Sequence, residues 1–162
     1  MKEVTLHYSE ALLRRAVKAF WWRTTGWLYV IAILLLLFAF GAALWRGDRS
    51  WWVGALGTVL GIGIAFAVSI YWVHLRGSLT RFRRMRSPES TFGLGEEGFR
   101  VTSDLGTSEL AWSTVTEIWR YDDFWLLFFS RAQFITLPAA DLDAEAREFI
   151  LGKAQECGIK VT

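Results

Sequence analysis

The stretches TTGWLYVIAILLLLFAFGAALW (Thr24–Trp45) and SWWVGALGTVLGIGIAFAVSIYWV (Ser50–Val73) contain no charged side chain, and only Arg46-Gly47-Asp48-Arg49 separates them. A helix of about 20 apolar residues, rising about 1.5 Å per residue, covers the roughly 30 Å hydrocarbon core of a bilayer. Each stretch reaches that length, so the pair is expected to form a two-helix transmembrane hairpin over residues 24–73, with spans 24–45 and 50–73. Neither span holds an acid, a base or a proline, and beyond Thr24, Thr25 and Ser50 at their first positions the most polar side chains in them are Tyr29, Thr58, Ser69 and Tyr71. Ion and charged-substrate pathways place ionisable groups inside the membrane, which argues against a self-contained transporter.

The tryptophans agree with this. Of ten, Trp21, Trp22, Trp27, Trp45, Trp51, Trp52 and Trp72 lie at or near the span ends, where an amphipathic ring suits the head-group region. The first apolar run is longer than the core of a signal peptide and is read as retained. A single cysteine, Cys157, excludes an intramolecular disulfide and fits a reducing compartment.

Charge sets the expected topology. Residues 1–23 and 76–90 each carry five Lys or Arg, against two in the connecting loop. Basic residues near span ends stay on the cytoplasmic side, which places both termini of a multi-pass membrane protein in the cytoplasm. Net charge is +3 over 1–23, +4 over 76–90 and −6 over 91–162, so a chain of formal charge +2 hides a basic collar next to an acidic domain. Arg76, Arg81, Arg83, Arg84 and Arg86, with Arg14, Arg15 and Lys18, are expected to hold anionic lipid head groups, each gaining about 1 kcal/mol. The short basic run beside an acidic domain argues against nucleic acid as a partner.

Outside the hairpin, Val4, Leu6 and Tyr8 alternate with polar residues as a strand does, and Ser9 is placed to cap a basic amphipathic helix through Leu12, Leu13, Ala16, Val17 and Phe20. That helix could lie in the interface or run straight into the first span. Residues 1–23 thus form an N-terminal strand and helix, and 74–90 a basic linker with a hinge at Ser87-Pro88-Glu89-Ser90. The N-terminal strand could join the sheet of the following domain.

Residues 91–162 read as a small cytoplasmic antiparallel β domain. Strands are expected near Thr91–Leu94, Phe99–Ser103, Ser108–Trp112, Val115–Tyr121, Phe124–Ser130 and Gln133–Leu137, broken at Glu96-Glu97-Gly98, Asp104-Leu105-Gly106, Ser113-Thr114, Asp122-Asp123 and Arg131-Ala132. Asp141 or Asp143 caps a closing helix that ends at Gly158 and turns Ala146, Phe149, Ile150, Ala154 and Cys157 inward. The fold class is α+β.

In its order of parts the chain resembles the YcxB-like family of bacterial membrane proteins, through Glu96-Glu97-Gly98-Phe99-Arg100-Val101, Ser108-Glu109-Leu110-Ala111-Trp112 and Leu137-Pro138. The resemblance implies a C-terminal domain similar in outline to pleckstrin-homology-like (PH-like) partial barrels. It carries over no catalytic residues. Read from the residues themselves, Trp112 is expected to anchor the core and Gly98 to supply a turn with positive φ.

No chemistry-bearing constellation emerges. His7, His74 and Cys157 assemble no nucleophile and base, no four-ligand zinc spacing is present, and no cofactor is implied; Asp122-Asp123 reads as a turn. The expected protein is not an enzyme. Gly54, Gly57 and Gly61 offer a small-residue face for packing against the first span or for a homo-oligomer. The unbroken run Phe124, Trp125, Leu126, Leu127 and Phe128 must meet two surfaces, because alternate strand residues face opposite ways. The second surface is the membrane, the basic amphipathic helix, a second protomer or a foreign protein, and in the last case the run is the candidate surface for a protein partner of an auxiliary, regulatory or immunity-type subunit; the competing expectation is a homo-oligomeric module that binds anionic lipid.

Overall fold

The computed structural model describes residues 2–130 and 133–162, which fall into two units: Met1–Ala16 with Ser78–Thr162, and Val17–Gly77. The expected break at Arg131-Ala132 lies outside the described residues.

The first unit is the β domain. Its strands are β1 (Lys2–His7), β2 (Glu89–Leu94), β3 (Gly98–Ser103), β4 (Gly106–Ala111), β5 (Glu117–Arg120), β6 (Phe124–Phe128), β7 (Phe134–Pro138) and β8 (Lys160–Val161). They form two four-stranded sheets, in the orders β1-β2-β3-β4 and β7-β6-β5-β8. The N-terminal strand does join the domain, antiparallel to β2, with Val4 opposite Phe92 and Leu6 opposite Ser90. Its alternation has the physical consequence expected of period two: Val4 and Leu6 are buried, while Glu3, Thr5 and His7 are exposed.

Both sheets contribute to one core of Leu6, Phe92, Phe99, Trp112, Trp125, Leu127 and Leu137, closed by Ala146, Ile150 and Ala154 of a C-terminal helix (Ala144–Glu156). Trp112 is its anchor, 1% exposed, and its indole N–H donates to the Gly95 carbonyl at 2.9 Å, so the ring is buried without an unpaired polar atom. Trp112 sits in a one-turn 3-10 helix, Trp112–Thr114, which carries the chain from one sheet to the other.

Asp143 caps the closing helix by accepting the Ala146 amide at 2.7 Å. The other expected candidate, Asp141, instead accepts the His7 amide at 2.6 Å and meets the His7 ring at 3.1 Å. The helix ends at Glu156, and Gly158 turns the chain with φ of +66°. Cys157 is exposed rather than inward, since it lies at the cap where the helical stripe has ended. Beyond it β8 pairs parallel to β5, so the sheet is not a pure antiparallel meander.

Gly98 differs from expectation as well. It lies inside β3, with no positive φ, and is needed for room: a Cβ there would stand 2.4 Å from the Leu110 carbonyl oxygen and 3.0 Å from Ala111 Cα. The positive φ of this hairpin belongs to Gly106, at +137°.

The helices are α1 (Glu10–Trp45) and α2 (Trp51–Arg84); the C-terminal helix is α3. Ser9 caps α1, its Oγ accepting the Leu12 amide at 3.2 Å. The basic amphipathic segment continues into the first apolar stretch as one helix, interrupted only at Gly26, whose φ of 73° and ψ of 152° are not helical. In the second unit, Trp21 Nε1 donates to the Ala67 carbonyl at 2.8 Å and the Tyr29 hydroxyl to the Gly63 carbonyl at 2.7 Å. The two helices turn back on each other through Asp48, whose carboxylate accepts the Ser50 amide and hydroxyl at 2.9 and 2.6 Å. Both are long and apolar enough to cross a membrane, and their most apolar windows are only 6% and 11% buried. The helical structure of α2 reaches Arg84, so most of the expected linker is helix, and strand β2 begins at Glu89 within the expected hinge.

Candidate functional site

The basic collar divides by what its members touch. Arg83 donates to Glu10 at 3.0 Å, Arg14 lies 3.6 Å from the same carboxylate, and Arg15 donates to Asp123 at 2.5 Å. These three are partnered within the β domain and its adjoining helix ends. The Arg83 hydrogen bond, more than the charge of Arg14, holds the Glu10 carboxyl below its ordinary pKa. Arg81, Arg84 and Arg86 have no side-chain ion pair among the described residues, although the Arg86 backbone amide donates to Asp104. Arg76 lies over the Trp72 ring at 5.2 Å, and Lys18 is exposed.

The small-residue face also divides. Gly57 packs against its own hairpin, where a Cβ would meet the Phe40 ring at 2.9 Å, whereas Gly54 and Gly61 have nothing within 4 Å. Gly63, outside the expected set, makes the other close approach, to Ile33 at 2.8 Å. The face toward the first span is therefore Gly57 and Gly63, about 1.7 helical turns apart at 3.6 residues per turn.

The expected partner surface is not free. Phe124, Trp125, Leu126, Leu127 and Phe128 are all buried, none more than 5% exposed. Trp125 and Leu127 face the core. The alternate set, Phe124, Leu126 and Phe128, is buried as well, with the Phe128 ring packed 4.3 Å from that of Trp119 and 5.2 Å from that of Phe134. The ion pair of Arg15 with Asp123 holds the start of α1 beside the head of β6.

Among candidate chemistries, His7 meets Asp141, with Glu89 at 3.9 Å. His74 Nδ1 lies 2.9 Å from the Ile70 carbonyl, and its ring packs 4.7 Å from that of Phe20. Asp122 and Asp123 form the expected turn, closed by the Tyr121 amide on the Phe124 carbonyl at 2.9 Å. No three His, Cys, Asp or Glu among the described residues are grouped to hold a metal ion.

One cleft brings together residues that no local spacing links. It is lined by Arg120, Tyr121, Asp122, Trp125, Ala139, Arg147 and Leu151, with Val161 and Thr162, and has a volume of about 540 Å³. Arg120 comes from the end of β5 and lies over the Trp125 ring at 5.3 Å; Arg147 comes from α3 and donates to the Ala139 carbonyl at 2.5 Å. The two arginines are 27 positions apart in a domain of negative charge, and the fold brings both to the lining of one cavity.

Residues 94–152 match the family model described as YcxB-like protein. This segment is similar to that family. The YcxB-like match runs from the last residue of β2 into α3 and takes in the three motifs that carried the resemblance, as well as both cleft arginines. It leaves β1, the helical hairpin and β8 outside, so the likeness is to the β domain and not to the whole chain. No curated protein and no solved structure matches the chain.

Proposed function

We propose that the protein is a non-enzymatic, two-span inner-membrane protein with both termini in the cytoplasm, whose β domain, PH-like in outline, docks a protein partner as an auxiliary, regulatory or immunity-type subunit. Support for the anchor comes from the two uncharged helices, whose apolar side chains include Trp27, Leu35, Phe38, Ile62 and Phe66, all more than 60% exposed. Leaving so much apolar surface in water is unfavourable, and lipid removes that cost. Basic residues flank both helices on the side of the β domain, as expected for a cytoplasmic domain.

The observation that carries the docking reading is the open edge of β4. This strand ends its sheet, and five of its six residues, all but Leu110, are exposed. An edge strand presents unpaired amides and carbonyls to which a partner strand can add. The Trp112 amide donates to the Glu97 carbonyl, so by the alternation of an antiparallel ladder the Ala111 amide points away from β3. Ala111 has φ of −72°, which proline adopts without strain.

The test compares tagged wild-type protein with Ala111→Pro, each purified from native membranes in mild detergent, with retained proteins quantified by mass spectrometry. A protein retained at near-equal amount by the wild type and lost from Ala111→Pro is the expected result. Absence of any stoichiometric companion removes the docking reading.

A second reading is favoured by Arg81, Arg84 and Arg86, which lack ion-pair partners among the described residues: a homo-oligomeric module that binds anionic lipid at the cytoplasmic surface. It predicts that replacing these three with Gln reduces the anionic lipid retained in native mass spectrometry. Unchanged retention discards it.

A further inference from the structure

We propose that the cleft between β5 and α3 is a binding site for a phosphate monoester, with Arg120 and Arg147 holding its oxyanion. Residues 91–162 carry six basic side chains, and five of them are described. Three of the five are in ion pairs: Arg100 with Glu109 at 2.9 Å, Lys153 with Glu96 at 2.6 Å and Lys160 with Glu117 at 3.5 Å. The two without a carboxylate partner among the described residues line the same cleft.

Their anchors strengthen the inference. Arg120 is placed by the face of Trp125 and Arg147 by the Ala139 carbonyl, both neutral, so each guanidinium is positioned without losing its charge to a counter-ion. One carbonyl occupies one of the five N–H donors of Arg147, and the rest remain for a ligand. Two cationic side chains in the lining of one cavity favour an anion there, and an oxyanion offers acceptors to both. Guanidinium forks match phosphate oxygens in pairs, which a lysine ammonium cannot do.

The rest of the lining narrows the ligand. Asp122 puts a carboxylate in the wall, which repels a polyanion and accepts a hydrogen bond from a hydroxyl. A single phosphate on a hydroxylated carbon skeleton satisfies both halves, and about 540 Å³ is within the usual range for small-molecule sites. Such a group can be a free metabolite or the head of a lipid.

The experiment uses the full chain in nanodiscs and measures binding by calorimetry. Glycerol 3-phosphate is titrated into discs of phosphatidylcholine alone, and again into discs that also contain phosphatidic acid. Saturable one-to-one binding in the first discs, lowered tenfold or more in Arg120→Gln and in Arg147→Gln and unchanged in Arg100→Gln, is expected for a free ligand. If the head of phosphatidic acid occupies the cleft instead, the wild type retains that lipid in native mass spectrometry and both cleft variants lose it. Arg147→Lys keeps the charge but not the fork and should weaken binding less than Arg147→Gln; thermal melts identify any variant that has lost its fold. Neither probe binding, or binding indifferent to both cleft substitutions in folded protein, overturns the proposal.

Discussion

Gly98 and Leu110 approach so closely across the β3–β4 ladder that a single added carbon on Gly98 would stand 2.4 Å from the Leu110 carbonyl oxygen. That oxygen is backbone, fixed by its strand, and cannot swing aside as the end of a side chain can. Gly98→Ala should therefore destabilise the domain by about 1–3 kcal/mol or more, the range for forcing extra volume into a packed site. Urea unfolding followed by the tryptophan fluorescence of the domain measures it. An unchanged midpoint would show that the ladder yields.

The N-terminal strand is expected to be as necessary as any strand beyond the hairpin. Leu6 is fully buried among Phe92, Trp125 and Leu137. Leu6→Ala should cost about 2–5 kcal/mol, as for other buried leucines. Thr5→Ala, on the exposed side of the same strand, should cost well under 1 kcal/mol. Equal effects of the two would contradict the register of β1 against β2.

In the helical hairpin, Gly57→Leu should separate the helices because the Phe40 ring stands 2.9 Å from a Cβ there, whereas a Cβ at Gly61 has nothing within 4 Å and Gly61→Leu should be tolerated. Thermal stability in a neutral detergent distinguishes them. A larger loss from Gly61→Leu would mean that the open side of α2 is a contact in the assembled protein.

Acid should loosen the attachment of β1 and α3. The Asp143 carboxyl is held below its ordinary pKa first by the Lys2 ammonium and then by the Ala146 amide, and Glu10 is held low by Arg83. A depressed folded-state pKa contributes stability that is fully present above the unfolded value, near 4, and is lost as pH falls through the folded one. Lys2, raised by Asp143, works in the opposite direction: its contribution is present below an unfolded pKa of about 10.4 and disappears as pH rises through the folded value. Asp143→Asn should flatten the acid limb of a plot of melting temperature against pH between about 5 and 2. An acid limb as steep as that of the wild type would assign the effect to other carboxylates.

Periodicity made most of this fold legible. The uncharged runs Thr24–Trp45 and Ser50–Val73 are helical, the alternation of Val4 and Leu6 is a strand, and Trp112 and Ile150 lie in the core. The errors arise where tertiary packing overrides a local rule. The two-sided apolar strand Phe124–Phe128 signalled a second contact surface without saying what meets it, and all five residues are buried within the chain. Gly98 was given a conformational reason when its reason is steric, which depends on where Leu110 falls. β8 is two residues long, too short to alternate visibly, and exists because β5 has an open side. The Arg120 and Arg147 cleft depends wholly on how α3 closes, and neither residue carries a sign of it in its neighbours.

The insertion of the hairpin between β1 and β2 orders events in time. His7 and Glu89, the nearest paired positions of these strands, are 82 residues apart. At roughly 5–20 residues per second of synthesis, β1 leaves the ribosome about 4 to 16 s before its partner has been made. β1 is thus made well before it can be placed, and the core residue Leu6 waits without its partner strand until both helices have been made. Closure of the β domain reports that α2 has brought the chain back beside β1: a chain in which it fails to return leaves Phe92 without Val4 opposite it and displays an unpaired strand to whatever proteolysis surveys it.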